Sequence, residues 1–157
     1  MTPAQRVAAV LGAAALSIGT IATFEGYVPI GYPDPGPLGV KLPTACYGST
    51  TGIIIGKRYS DQECAERLAA DAVKHGLQIS PCLPDNLPIE TRAAFTSFGF
   101  NVGTGAFCRS TLSRKALAGD LAGACAELSR WTHSAGREMA GLIRRRKAER
   151  ALCESGL

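Results

Sequence analysis

Histidine is nearly missing from this chain. Only His75 and His133 occur, with no ligand-like spacing to each other or to any cysteine. That scarcity argues against a zinc site, which draws a tetrahedral set from suitably spaced His and Cys. None of the six cysteines forms a C-x-x-C pair, and residues 1–45 contain no cysteine at all. The one glycine-lysine stretch, Gly52-x3-Gly56-Lys57-Arg58, is a residue too short for a phosphate-binding loop and has Arg where Ser or Thr should hold magnesium. Nothing marks a nucleophile elbow. No internal repeat, low-complexity tract or second domain is visible.

What is present bounds the rest. A chain of 157 residues is one domain plus at most an appended segment, and 46% hydrophobic residues suffice for a real core. The net charge of +4 suits an anionic wall polymer, a membrane surface or a nucleic acid, without choosing between them. Six cysteines in so small a chain point to disulfides and an oxidising compartment. They allow fifteen pairings. Cys82 and Cys108 flank the central helix and are expected to pair. Cys125 and Cys153 sit on the last two helices, which leaves Cys46 and Cys64 to tie a small sheet to the first capped helix.

Charge is absent from Val7 to Phe24, VAAVLGAAALSIGTIATF. As a helix this run is about 27 Å long, enough to cross a thin hydrocarbon core. Arg6 before it and Glu25 after it predict an N-terminus inside and the remainder outside. Its Ala content, with Gly12, Ser17, Gly19, Thr20 and Thr23, makes it a marginal span. Three readings stand side by side: a cleaved signal peptide, a buried core helix and a weak, releasable anchor.

From Gly26 to Tyr59, prolines and glycines among β-formers predict short strands near Tyr27-Val28, Ala45–Tyr47 and Gly52–Gly56. Ser60 and Glu63 form a capping box for a helix that Gly76 should stop. Pro81 to Pro88 reads as a loop and Ile89 to Asn101 as a buried central helix ended by Gly103 and Gly105. Ser110 and Asp120 cap two more helices, the second with Leu121, Ala124, Cys125, Leu128 and Trp131 on one face. Trp131 reads as core. A last helix spans Met139 to Cys153, and its run Arg144-Arg145-Arg146-Lys147 with Arg150 reads as a solvated basic face. The fold class is α+β: a small β-sheet lobe, a larger helical lobe and a cleft between them.

The stretch Phe24 to Tyr47, FEGYVPIGYPDPGPLGVKLPTACY, carries the chemistry. Two acids and a hydroxyl on a hairpin provide a proton donor for a leaving oxygen and a partner that manages water. Glu25-x8-Asp34 followed by Thr44-x-Cys46-Tyr47-Gly48 resembles the catalytic hairpin of the phage lysozyme (endolysin) family. RAAFTSFGFNVGTGAF, STLSRKALAGD and RWTHSAGREMAGLIRRRKAER resemble its central and last helices, in family order. The chain departs from the pattern by placing nine residues rather than five between Asp34 and Thr44, which reads as an extra turn.

The resemblance implies a lysozyme-like fold preceded by an apolar helix. It implies a signal-anchor-release segment over 1–24 and a catalytic domain over 25–157. Glu25 is expected to be the general acid, its carboxyl desolvated by its place at the end of an apolar helix. Asp34 would position water, Thr44 would help to hold it, and Asn101 would contact the glycan or cap its helix. The implied activity is hydrolysis of the β-1,4 bond between N-acetylmuramic acid and N-acetylglucosamine in peptidoglycan, for host lysis. A lytic transglycosylase and a non-catalytic, membrane-tethered wall-binding protein are the alternatives. No cofactor, metal or nucleic-acid partner is expected, and a monomer is. The implied location is the periplasm, with residues 7–24 first held in the host inner membrane.

Overall fold

The structure, a computed structural model, describes residues 1–35 and 39–157. Helix α1 runs from Pro3 to Glu25. Thr2 caps it: its hydroxyl accepts from the Gln5 backbone N–H, and the Gln5 side chain accepts from the Thr2 N–H. This reciprocal box, with Pro3 in the first turn, satisfies donors that an isolated helix would leave to water. Gly26 stops the helix at φ +70°, a conformation open to glycine. Val10, Ala14, Ser17 and Ile21, spaced three or four residues apart, form the buried stripe, with Ala13 beside them.

That stripe packs on α2 (Asp61–Ile79) and α3 (Ile89–Val102). The approach is close. A methyl placed on Gly76 would lie 3.0 Å from Val10 Cγ1, so glycine lets α1 and α2 meet. The opposite face of α1 leaves Val7, Leu11 and Leu16 exposed. At its start, Arg6 Nη2 lies 2.8 Å from Asp85 Oδ2, in the loop before α3.

Between α1 and α2 lies the small lobe, an antiparallel pair of β1 (Val28–Pro35) and β2 (Lys41–Cys46). In its register Tyr32 faces Thr44 and Asp34 faces Leu42. Side chains of one strand alternate in side, so Asp34 and Thr44 belong to one face of the hairpin. The extra turn between them includes residues 36–38, which lie outside the described residues. Gly52–Gly56 is not the third strand expected. The chain turns there, Gly52 and Gly56 have positive φ, and Ile54 and Ile55 are exposed.

The helical lobe completes the α+β architecture. Ser60 and Glu63 form the capping box of α2, but the helix continues past Gly76 to Ile79. Packing against Val10 and Thr96 gives that glycine a role inside the helix. Helix α3 is buried from Thr91 through Gly99 and ends at Val102, with Gly103 rather than Asn101 as its cap. Around it pack α4 (Thr104–Arg109), α5 (Thr111–Leu117), α6 (Leu121–Glu127) and α7 (Ala140–Ser155). Phe95, Phe98, Phe107, Leu112 and Leu128 fill the core, and Trp131 meets Phe98 edge-on at 5.1 Å.

Gly105 lies inside α4 rather than ending α3, and α6 gives way at Leu128 to a short tight turn. A two-residue ladder, β3 (His133–Ser134) with β4 (Arg137–Glu138), precedes α7 and was not expected. Three disulfides, Cys46–Cys64, Cys82–Cys108 and Cys125–Cys153, join the elements after α1.

Candidate active site

Glu25 is the last residue of α1, where the helical and hairpin lobes meet. Its side chain is 20% exposed. Oε1 accepts a hydrogen bond of 2.5 Å from Arg145 Nη1 on α7. Oε2 faces the small lobe: a methyl on Gly48, in the turn after β2, would lie 3.7 Å from it. One carboxylate oxygen is therefore held by a guanidinium and the other faces the turn that follows the hairpin. Glu25 does stand at the end of an apolar helix, and Arg145 shares its surroundings with Phe24.

Arg145 is itself fixed. Its Nε donates to Glu149 Oε1 at 3.0 Å, and its Nη2 donates to the Ser97 carbonyl at 3.2 Å. Ser97 Oγ donates to the same Glu149 oxygen at 2.7 Å, and Arg146 Nη1 donates to Glu149 Oε2 at 2.7 Å. Arg145, Arg146 and Glu149 are 3%, 1% and 0% exposed, so part of the basic run faces inward and is not a solvated face. Burial brings the Arg146 guanidinium down to about 10 and pushes the Glu149 carboxyl up, while the opposite charges counteract both shifts. Glu149 was not singled out from the sequence. The signal was there, since Arg145/Glu149 and Arg146/Glu149 stand at the spacings that pair on a helix.

Asn101 joins this cluster. Its Oδ1 accepts from Arg146 Nη2, so its amide N–H groups are what it can offer elsewhere. With Glu25, Phe24, Arg144, Arg145 and Met139 it lines a cavity of about 440 Å³. Asp34 and Thr44 are not among the residues lining that cavity. Asp34 is half-buried on β1. Thr44 is buried on β2, and its hydroxyl donates to the Leu42 carbonyl at 3.1 Å. Its oxygen lone pairs remain able to accept. Among the described residues, no group of three His, Cys, Asp or Glu side chains could hold a metal ion.

A carboxylate at the end of α1, held by Arg145 beside a cavity and facing the turn after the small hairpin, fits one class, the lysozyme-type glycosidases. The phage lysozyme family model matches residues 22–149, and the chain belongs to that family. It is 44% identical over 115 residues to the SAR-endolysin of Bacteriophage PS119, covering 73% of this chain and 69% of that one. It is 38% identical over 164 residues to the SAR-endolysin of Enterobacteria phage PA-2, covering 98% and 97%. The muramidase domain of SpmX from Asticaccaulis excentricus superposes with a TM-score of 0.76 at 26% identity, covering 88% of this chain and 94% of that one.

Proposed function

We propose that this protein is a phage endolysin that acts as a muramidase, hydrolysing the β-1,4 bond between N-acetylmuramic acid and N-acetylglucosamine in peptidoglycan. The observation that carries the reading is the orientation of Glu25, with Oε1 tied to Arg145 and Oε2 facing the turn at Gly48. From Oε2 the acid protonates the glycosidic oxygen as the bond breaks. Asp34 supports the attacking water, the Thr44 hydroxyl accepts one of its hydrogens, and Asn101 donates to the glycan. Carboxyl groups far enough apart to admit that water give inversion at the anomeric carbon. A lytic transglycosylase needs only the acid, since an intramolecular hydroxyl replaces water. Asp34 and Thr44 on one hairpin face support the hydrolytic reading.

In the same proposal, residues 1–24 are a signal-anchor-release segment and 25–157 the catalytic domain. The protein is exported with residues 7–24 held in the host inner membrane, then released into the periplasm as a soluble monomer. Helix α1 is long and apolar enough to cross a membrane, which supports this. While it spans lipid, the Arg6–Asp85 and Glu25–Arg145 contacts cannot form and the acid lacks its support. The deciding experiment is product analysis of digested sacculi with and without borohydride. Muramic acid residues at new reducing ends are expected. Anhydro ends would show a transglycosylase, and no new ends from folded, released protein would sink the catalytic assignment.

A further inference from the structure

The three consecutive isoleucines of the small lobe do not share one environment. Ile53 is buried with Ala45, Cys46, Tyr59 and Cys64. Ile54 and Ile55 are 63% and 56% exposed, and among the described large apolar residues none is more exposed than Ile54. Neither lines the cavity of Glu25, so the proposed cleavage chemistry does not use them. The turn that presents them is firmly held. The Lys57 N–H donates to the Ile54 carbonyl at 3.2 Å, and the Ile54 N–H donates to the buried Tyr59 hydroxyl at 2.9 Å. Three further bonds fasten the turn to β1. The Gly56 N–H donates to the Gly31 carbonyl at 2.8 Å, the Gly31 N–H to the Lys57 carbonyl at 2.9 Å, and the Tyr59 N–H to the Pro29 carbonyl at 2.8 Å. A methyl on Gly31 would collide with the Ile54 carbonyl, so glycine lets the turn lie against the strand.

Two bulky apolar side chains thus stand in water on a fixed support, which marks an interaction site. Val28 and Ile30 on the adjoining strand are exposed as well, and Ile30 bridges to Arg58. Lys57 and Arg58 follow the turn directly. Lys57 pairs with Glu63 at 3.4 Å, with both side chains half in water. Asp61, the other acid nearby, accepts from Tyr27. None of the ion pairs among the described residues includes Arg58. An apolar tip with cations at its base suits a bilayer surface, where isoleucine meets acyl chains and long basic stems reach up to phosphates.

We propose that the Ile54–Ile55 turn is a membrane foothold of the small lobe. Its two side chains enter the boundary between headgroups and acyl chains, and Lys57 and Arg58 face the lipid phosphates. The choice of a bilayer over a protein partner rests on the tether reading. With α1 spanning the membrane, Glu25 lies at headgroup level, and Gly31 follows it by six residues. That length of extended chain reaches about 20 Å, so the turn fastened to Gly31 stays beside the lipid surface. None of the bonds that hold the turn involves α1, so the tip is formed whether α1 is inserted or docked. Alone, two side chains make a weak and reversible contact. Beside an inserted α1 the same contact becomes intramolecular and presses the small lobe onto the bilayer.

The test floats the full-length, soluble protein with vesicles of phosphatidylethanolamine and phosphatidylglycerol. I54S/I55S should lower the partition coefficient about tenfold or more, and I54L/I55L should preserve it, with melting temperatures showing that both variants are folded. An unchanged coefficient in folded I54S/I55S overturns the proposal. Ile55→Trp reads the contact separately from α1, because the one native tryptophan, Trp131, packs against Phe98 in the helical lobe. Brominated lipid should quench the added indole. Quenching of a Leu11→Trp reporter on α1, with none at Ile55→Trp, shows a protein held by α1 alone and overturns the foothold. If α1 never fractionates with membranes in cells, the tether reading fails, and quenching at Ile55→Trp on vesicles still supports the foothold. Loss of a dimer in I54S/I55S, with vesicle partition intact, assigns the turn to a second copy of the chain and overturns it.

Discussion

Glu25 and Arg145, 120 residues apart in sequence, meet at 2.5 Å and tie the end of the first helix to the last. The contact joins the element that brings the acid to the element that holds it. Replacing Glu25 by Gln keeps an oxygen that can accept from Arg145 but removes the proton donor. Wall hydrolysis should fall by at least about 10²-fold with the melting temperature little changed. Retention of activity within a few-fold on folded protein counts against Glu25 as the acid.

Arg145→Met should do different damage. It removes a buried cation and leaves Glu149 with only Arg146 and Ser97. Breaking one partner out of a buried charged network costs about 3–5 kcal/mol. Urea denaturation should show a loss of that order, and the folded fraction should cleave more slowly because Glu25 loses its orienting contact. A loss below about 1 kcal/mol would mean that the network carries little of the fold's stability.

Control by release is testable on the exposed side of α1. Ala8, Ala15 and Gly19 are exposed, and no atom outside α1 lies within 4 Å of a methyl built on Gly19. Changing all three to Leu strengthens the span without touching the stripe that docks on α2 and α3. The triple variant should remain in the membrane fraction and fail to lyse on the wild-type schedule. Soluble, lytic protein on that schedule rules out the anchor.

Reductant should weaken the enzyme without activating it. The bridges close sequence separations of 18, 26 and 28 residues, each expected to contribute about 3 kcal/mol. Residues 1–45 hold no cysteine that could exchange with them. Melting curves with and without dithiothreitol should show the loss, and a burst of lysis on mild reduction is the outcome that contradicts this.

His75 should make stability depend on pH. Its ring packs on Phe100 of α3 at 4.9 Å, and its Nδ1 is buried without a partner among the described residues. Burial holds its pKa below the ordinary histidine value, Lys74 adds to that, and Asp71 and Glu25 oppose it. With the folded pKa depressed, the unfolded chain takes up the proton first as pH falls. The contribution is whole above about 6.5 and is lost as pH drops below that value toward the folded pKa. Melting temperatures from pH 7.5 to 5.5 should fall more steeply in wild type than in His75→Phe; parallel curves would exclude His75 as the cause.

Legibility in the sequence followed the range of the interaction. The Ser60–Glu63 box, the Ser110 and Asp120 caps and the uncharged α1 are local signals, and each marks a real helix start or length. Gly52–Gly56 misled because three isoleucines read as a strand, while the two glycines that turn the chain looked like its ends. The inward side of α7 was hidden because Arg145, Arg146 and Glu149 are polar types whose burial depends on mutual pairing. Asn101 and Glu25 reach one cavity through helices far apart in sequence. No local pattern encodes the Gly76–Val10 approach that seats α1.

The disulfides have one more consequence. Every cross-link lies between Cys46 and Cys153, so the covalent net starts at the last residue of β2, runs through the later helices and never catches α1. An oxidised scaffold can be complete with its first helix still elsewhere. The slot between α2 and α3, with Asp85 at one end and Arg145 at the other, is then a berth open to a helix that arrives late and without chemistry, with Glu25 on its tip.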